Sequence, residues 1–360
     1  MRHAGLRFAF VCWSLAFDSL YAPPLWLRSG HLNTVYSFLR PRRAVLSPAQ
    51  DERLTVAPGV RLLLRCHWQP RPAPCLLLVH GLEGDSEAGY MQTMAAKALR
   101  RGWHAIRLNV RGCGASEPDS ATLYNSGLSG DLAQAAAWAG AQPRVASLAL
   151  CGFSMGGNTV LKYAGELGAG QWPTVPALAA CAAVSACLDL APSADALHRR
   201  PCWPYERRFL WHLRRRVRRW QARTAAAPQW TRRRYRSIRD FDDQVVAPLF
   251  GYRDAADYYF RASAARVLAH VRVPTFILHA EDDPFIVVTP ESRALAAANP
   301  AVRFVATRYG GHCAFMNPRH PGDPDPYWAE NRVLDFCAGV FGPARGAAVP
   351  GADFMGPYNV

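Results

Sequence analysis

One serine, Ser154, stands where an apolar run meets a segment with helical character. Residues 145–151 are predicted to form a short buried strand, and the segment through residue 166 is predicted to be a helix. The residues between them fit the pattern G-x-S-x-G, which in a strand–turn–helix setting is typical of a nucleophile elbow. So sharp a turn holds its serine in a strained backbone conformation, and a Cβ at either flanking glycine would meet neighbouring backbone. For the motif taken alone, a tight turn without chemistry is the alternative interpretation.

The backbone around this turn also favours a negative charge. The amide of Met155 would open the helix, where N–H groups are unpaired and the helix dipole stabilises an anion. A second buried strand, residues 75–79, ends at the turn His80-Gly81-Leu82. Sites built on a nucleophile elbow take a further oxyanion donor from such a loop. We therefore predict an oxyanion hole made by the N–H groups of Leu82 and Met155, and we interpret the His80 side chain as structural.

The order of segments predicts the fold class. Strand-like and helix-like segments alternate from residue 75 to about residue 190, which indicates a mostly parallel sheet with helices on both faces. The 360 residues, half of them hydrophobic, suffice for one large α/β domain with an insertion or for two smaller domains. Ten cysteines without C-x-x-C or metal-type spacing predict a reducing, cytoplasmic location and no disulfide framework.

The two ends of the chain differ from its body. Residues 1–20 contain two arginines and an apolar run that resembles the hydrophobic part of a signal peptide, but no A-x-A-like cleavage site follows. We favour an N-terminal extension, either a hydrophobic helix resting on the body or an extended start, over an export signal. Residues 21–34 are predicted to form an ordered arm, and residues 343–360, rich in glycine, proline and alanine, a loose tail.

A strongly basic insertion interrupts the alternation of strands and helices. Residues 199–239 contain 15 arginines against one acidic residue, Glu206, and so carry nearly all of the net charge of +15. Residues 210–223 are predicted to form an amphipathic basic helix. We favour a helical cap over a pocket, because interleaved apolar residues give the insertion something to bury. Contact with an anionic membrane is compatible with such a cap, whereas the lack of a recognised motif disfavours nucleic acid.

Two later strand ends carry residues that could activate Ser154. Residues 274–279 are predicted to form a strand that ends at Asp282 and Asp283, where a carboxylate is placed to orient an imidazole. We predict that Asp283 is the carboxylate that orients the imidazole, with Asp282 as the second choice. The alternative interpretation is that both acids only cap a loop and have no catalytic role. After the last predicted strand, two glycines let the ring of His312 turn inward. Because each residue follows its own strand, Ser154, Asp283 and His312 should meet at one edge of the sheet.

Seven segments, in order, carry a resemblance to a known family. They read PPLWLRSGHLNT, VHGLEGDSEAGY, NVRGCGASEP, CGFSMGGN, FDDQVVAPLFGYRDAADYY, HAEDDPF and GGHCAF, and lie within residues 21–340. In these segments the chain resembles AB-hydrolase family 4, the YheT-like bacterial hydrolases and their eukaryotic lipase relatives. The order Ser154, Asp283, His312 is also that of the α/β-hydrolases.

The resemblance implies an α/β-hydrolase fold and carboxylic-ester hydrolysis by a triad of Ser154, Asp283 and His312. Short-chain esters or acylglycerols are the expected substrates, and no metal or organic cofactor is needed. The corresponding division is an extension (1–20), a core (21–190), an arginine-rich helical cap (191–262), the rest of the core (263–342) and a tail (343–360). Two alternatives stay open: an acyltransferase with the same triad, and a non-catalytic protein that binds anionic lipid or RNA through the cap.

Overall fold

A mostly parallel eight-stranded sheet organises the part of the chain that the computed structural model describes, residues 21–224, 234–317 and 323–342. The strands are β1 (Gln50–Ala57), β2 (Val60–His67), β3 (Ala73–Val79), β4 (His104–Asn109), β5 (Val145–Phe153), β6 (Leu178–Val184), β7 (Thr275–Ala280) and β8 (Val302–Thr307). Their order is β1-β2-β4-β3-β5-β6-β7-β8, and only β2 runs against its neighbours. The prediction of a mostly parallel sheet is confirmed.

Helices cover both faces of this sheet, and others lie outside it. In chain order the helices are α1 (Gly30–Leu39), α2 (Gly89–Arg100), α3 (Ser129–Gly140), α4 (Met155–Gly168), α5 (Leu190–Leu197), α6 (Trp203–Arg223), α7 (Ile238–Phe241), α8 (Ala247–Phe250), α9 (Ala255–Ala262), α10 (Pro290–Ala298) and α11 (Trp328–Phe341). Along β3, Leu77 packs with α3 and α4 on one face, while Leu76 packs with α2 and α11 on the other. This alternation follows the two-residue period of a strand, and it explains why the central strands are continuous apolar runs.

A helical segment, α5 to α9, lies between β6 and β7 and has a core of its own. Leu197, Leu213 and Phe241 contribute to that core. The acid of the basic stretch, Glu206, is buried and accepts hydrogen bonds from His198 Nδ1 at 2.8 Å and from the Ile238 N–H at 2.9 Å. The prediction that the basic helix begins at residue 210 was wrong, because α6 begins at Trp203. Pro204 lies in the first turn, where a missing N–H costs nothing.

The N-terminal arm is ordered, as predicted, and part of it is helical. The residues after Ser29 form α1, and this helix packs on the loops that follow β7 and β8. A Cβ at Gly30 would collide with the Asp282 carbonyl oxygen, and Thr34 Oγ1 accepts a hydrogen bond of 2.8 Å from the His312 N–H. The helix therefore supports the edge of the sheet where the predicted site lies.

Two predicted segments, residues 1–20 and 343–360, lie outside the described residues. Within the described ranges, no helix combines the length and the apolar character that a membrane span requires. The nine cysteines of those ranges are free thiols.

Candidate active site

Ser154 occupies a strained turn between β5 and α4. Its backbone has φ 55° and ψ −120°, a conformation that a residue with a side chain rarely adopts. Both flanking glycines are required, because a Cβ at Gly152 would overlap the Gly156 carbonyl and a Cβ at Gly156 would overlap the carbonyl of His80. Strain of this kind persists only where the surrounding structure enforces it. The turn therefore has the geometry of a nucleophile elbow.

The loop after β3 approaches this serine with its backbone. A Cβ built on Gly81 would lie 3.2 Å from Ser154 Cβ and 3.7 Å from its Oγ. The N–H of Gly81 donates to Tyr90 Oη at 3.0 Å, and the N–H of Glu83 donates to Tyr124 Oη at 3.0 Å.

The two predicted oxyanion donors remain available beside Ser154. Among the described residues, the N–H groups of Leu82 and Met155 donate to no other group, and both residues line a cavity with Ser154. His80 is fully buried; its Nε2 accepts from the Val110 N–H at 3.2 Å, and burial lowers its pKa to about 4. Its side chain is thus a neutral support for the loop, as we expected.

The carboxylate and the imidazole form a hydrogen-bonded pair. Asp283 Oδ2 accepts from His312 Nδ1 at 2.9 Å, while Oδ1 accepts from the N–H groups of Phe285 and Ile286 at 3.2 and 3.0 Å. Because an ionised carboxylate only accepts, Nδ1 carries a proton, and in the neutral form of the imidazole Nε2 is therefore the acceptor. Asp282 has a different task, since its Oδ1 accepts from the Gly311 N–H at 2.8 Å. Of the two acids, the geometry pairs Asp283 with the imidazole.

The ionisation of this pair follows from its surroundings. Burial opposes the charged form of Asp283, but the charge and the hydrogen bond of His312 hold its pKa below the ordinary value. Burial also opposes the charged form of His312, yet the Cys313 side chain and the Asp283 carboxylate raise its pKa well above the ordinary value. For Asp282, burial is the main cause of a raised pKa. The pair thus favours a charged imidazole next to a charged carboxylate.

Ser154 and His312 line one open cleft of about 830 Å³, together with α1, α6 and the loop after β3. Among the described residues no hydrogen bond joins Ser154 Oγ to His312 Nε2, and Nε2 contacts the Cys313 thiol, with Sγ at 3.8 Å. Catalytic hydrogen bonds of a free enzyme are often long and shorten when substrate binds. The structure thus brings the three predicted residues to one edge of the sheet, with the histidine already held by the acid.

A second, smaller cavity of about 110 Å³ also borders Ser154 and lies under the helical segment. Its walls are mainly apolar and include Leu190, Ala194, Leu197, Leu213, Phe241, Val246 and Ile286. One wall is polar: Asp242 accepts from Tyr259 Oη at 2.7 Å, and burial raises its pKa to about 7. Ser154 therefore borders both an apolar pocket and a wide cleft.

Sequence reasoning missed the contact that ties α6 to the loop after β3. Arg216 Nε donates to Glu83 Oε1 at 2.7 Å and its Nη2 donates to Oε2 at 3.2 Å, while Tyr124 Oη donates to Oε1 at 2.7 Å. Glu83 follows Leu82 directly and has φ 55°. The partners are separated by 133 residues, so no local sequence signal could have paired them.

Comparison with known proteins gives consistent results. The sequence profile of the family described as alpha/beta hydrolase fold matches residues 74–318. The Escherichia coli (strain K12) protein YheT, whose name assigns it provisionally as an esterase, is 30% identical over 332 residues, which are 88% of this chain and 92% of YheT. The monoacylglycerol lipase of Saccharomyces cerevisiae is 28% identical over 256 residues; the match covers 68% of this chain but only 56% of that enzyme.

Solved structures support the same architecture. An esterase of Pyrococcus furiosus superposes with a TM-score of 0.53 over 84% of this chain and 100% of its own, at 16% sequence identity. At that identity the likeness concerns the fold alone.

Proposed function

We propose that this chain, which belongs to the alpha/beta hydrolase fold family and to its YheT-like branch, hydrolyses carboxylic esters through an acyl-enzyme on Ser154. The esterase and lipase names of its relatives support the activity class. One observation carries the assignment of residues: Ser154 shares a cavity with two N–H groups that donate to nothing else in the described ranges, and it shares a cleft with an imidazole that a buried carboxylate holds.

The chemistry follows from the role of each group. His312 Nε2 takes the proton of Ser154 as Oγ attacks the ester carbonyl, and Asp283 stabilises the imidazolium that forms. The N–H groups of Leu82 and Met155 stabilise the oxyanion of the tetrahedral intermediate. His312 then gives its proton to the leaving alcohol, and a water molecule repeats these steps on the acyl-enzyme to release the acid.

The two cavities suggest how the substrate lies. The small apolar pocket suits a short acyl chain, and the wide cleft suits the alcohol part, which in an acylglycerol is a polar head group. Short-chain esters and acylglycerol-type lipids are therefore the proposed substrates. The helical segment between β6 and β7 forms the roof of the pocket. This position supports the proposal that residues 191–262 are a cap. A panel of p-nitrophenyl esters of graded chain length measures the acyl preference.

The test uses variants with a matched control. Ser154→Ala and His312→Ala should each lower kcat by about a million-fold, since members of a triad act as a unit. Asp283→Asn should lower it by roughly 10⁴-fold. The control is Asp282→Asn, because its amide oxygen can still accept from the Gly311 N–H; its turnover should stay close to that of the wild type. Turnover that survives Ser154→Ala in a folded, clean preparation would remove Ser154 from the nucleophile role.

The same triad would also serve an acyltransferase. The open cleft of about 830 Å³ favours this second candidate, because it has room for an acceptor alcohol beside the acyl-enzyme. Product analysis with competing alcohols separates the two functions. Transfer to an alcohol at a rate above hydrolysis, with water in excess, identifies an acyltransferase.

A further inference from the structure

Seven of the eight arginines of α6 fall into two groups that face different surroundings, and the eighth, Arg214, donates to the Tyr235 carbonyl oxygen. Those of the inner group pair with carboxylates of the core: Arg216 pairs with Glu83, while Arg219 and Arg223 pair with Glu117. The outer group consists of Arg207, Arg208, Arg215 and Arg218, which are exposed to solvent. In the described part of the chain, no carboxylate forms an ion pair with any of these four. Their charge is free to bind something outside the chain.

Exposed tryptophans accompany the outer arginines. Trp203 is 49% exposed and Trp211 is 50% exposed. Arg215 stacks on Trp211, with Cζ 4.5 Å from the ring centroid. Residues 207, 211, 215 and 218 recur at helical spacing, so they form one stripe along α6. An aromatic ring that is half exposed among cations is typical of a helix at a membrane interface.

The neighbouring helix α1 continues this surface with apolar side chains. Leu32, Val35, Phe38 and Leu39 are 56%, 42%, 67% and 69% exposed. The guanidinium of Arg208 lies 4.8 Å from the centroid of the Phe38 ring and so joins the two helices. Both residues also line the mouth of the cleft that contains Ser154. We use the name docking face for Arg207, Trp211, Arg215 and Arg218 on α6 together with these four side chains of α1.

We propose that the docking face binds an anionic phospholipid bilayer. The outer arginines bind lipid phosphates, and the apolar side chains enter the interface between head groups and acyl chains. Leu32, Val35 and Leu39 favour a membrane over RNA, because aliphatic side chains cannot stack on bases but do partition into lipid. This orientation turns the mouth of the cleft toward the bilayer. If the function proposed above is correct, a lipid ester can then reach Ser154 from the bilayer.

The binding test compares two triple variants of the full-length protein. Arg207→Gln/Arg215→Gln/Arg218→Gln changes the docking face without touching a residue that lines the cleft. The control, Arg100→Gln/Arg144→Gln/Arg272→Gln, removes the same charge from exposed arginines near the amino ends of β4, β5 and β7, at the opposite edge of the sheet. Co-sedimentation uses vesicles of phosphatidylcholine alone and of equal parts phosphatidylcholine and phosphatidylglycerol.

We expect wild type and control to bind the anionic vesicles, with an affinity that falls as salt rises. The docking-face variant should bind roughly 100-fold more weakly, since each basic residue near an anionic surface adds roughly a fivefold factor. All three proteins should turn over a soluble p-nitrophenyl ester equally. Ser154→Ala should bind vesicles as the wild type does, so a failure of the ester chemistry is distinguishable from a failure of docking.

Three outcomes would overturn the proposal. The first is equal loss of vesicle binding in both triple variants, or equal binding to the two vesicle compositions. The second is tighter binding of a labelled single-stranded RNA than of anionic vesicles at the same salt concentration. The third is a dimeric wild-type protein together with a monomeric docking-face variant, or a protein that binds vesicles only after residues 1–20 are removed. In that case a second copy, or the N-terminal segment, covers this face.

Discussion

Replacement of Glu83 by Gln should weaken the fold and the oxyanion hole together, because Glu83 joins α6 to the loop that carries Leu82. The carboxylate accepts two hydrogen bonds from Arg216, at 2.7 and 3.2 Å, and the two side chains are 5% and 8% exposed. Glutamine keeps the shape and can still accept from Tyr124 Oη. It removes the negative charge that the buried guanidinium faces.

The size of the effect follows from the geometry. At 2.7 Å and an effective dielectric constant of about 20, the two charges attract each other by about 6 kcal/mol. Desolvation offsets part of this attraction, and removal of one partner of a buried pair costs about 3–5 kcal/mol. Glu117 lies 4.0 Å from Arg216 and compensates part of the lost charge. We therefore expect a loss of about 3 kcal/mol in the free energy of unfolding, at the lower end of that range.

Two measurements test this prediction. Urea unfolding followed by tryptophan fluorescence gives the loss of stability, and steady-state turnover of a p-nitrophenyl ester gives kcat and KM. We expect kcat to fall more than KM rises, because a displaced Leu82 N–H affects the oxyanion of the transition state. The matched control is Glu117→Gln, whose partners Arg219 and Arg223 are 44% and 37% exposed. This variant should lose less than about 1 kcal/mol.

A double variant separates the charge pair from the loop. Glu83→Gln/Arg216→Met leaves no buried unpaired charge, so it should recover most of the lost stability. Equal losses in the Glu83 and Glu117 variants would contradict the burial argument. A destabilised Glu83→Gln enzyme with unchanged kcat would contradict the link between α6 and the oxyanion loop.

Three further predictions concern pH and the acyl pocket. Burial raises the pKa of Asp242 to about 7 from an ordinary value near 3.8, so the native state binds the proton more tightly and stability falls as pH rises between these values, by up to about 4 kcal/mol. Asp242→Asn should remove this slope from urea midpoints measured across that range, and a slope that persists would contradict the assignment. The pKa of His312 is raised above its ordinary value of 6.5, and its neutral form is the base, so kcat/KM should decline as pH falls through a pKa above 6.5; a decline centred below that value would contradict the pairing with Asp283. Leu197→Ala should widen the small cavity and shift the best p-nitrophenyl ester to a longer chain, whereas an unchanged profile would place the acyl group elsewhere.

The sheet and the three loops of the site could be predicted because their signals are local. Apolar runs reveal the central strands, and the G-x-S-x-G turn reveals Ser154. In a parallel sheet the carboxyl ends of the strands share one edge, so the loops that carry Asp283 and His312 must converge. The choice between Asp282 and Asp283 also agrees with the geometry, since only Asp283 contacts the imidazole.

The parts that sequence could not predict depend on tertiary contacts. Helix α1 has no side-chain N-cap and exposes several apolar residues, so its pattern does not indicate a buried helical face. Its position follows from Gly30 and Thr34, which fit against the loops of Asp282 and His312. The sequence pattern did not predict the early start of α6, because a proline such as Pro204 usually indicates the end of a helix. In the first turn of a helix, however, proline is well tolerated.

Direct detection of the acyl-enzyme tests the central claim. The protein is mixed with a p-nitrophenyl ester, quenched in acid during turnover, digested and mapped by mass spectrometry. We predict the mass of one acyl group on the peptide that contains Ser154, and none on that peptide in the His312→Ala variant. An acyl group on Cys187 or Cys313, or turnover without any covalent intermediate, would contradict the account.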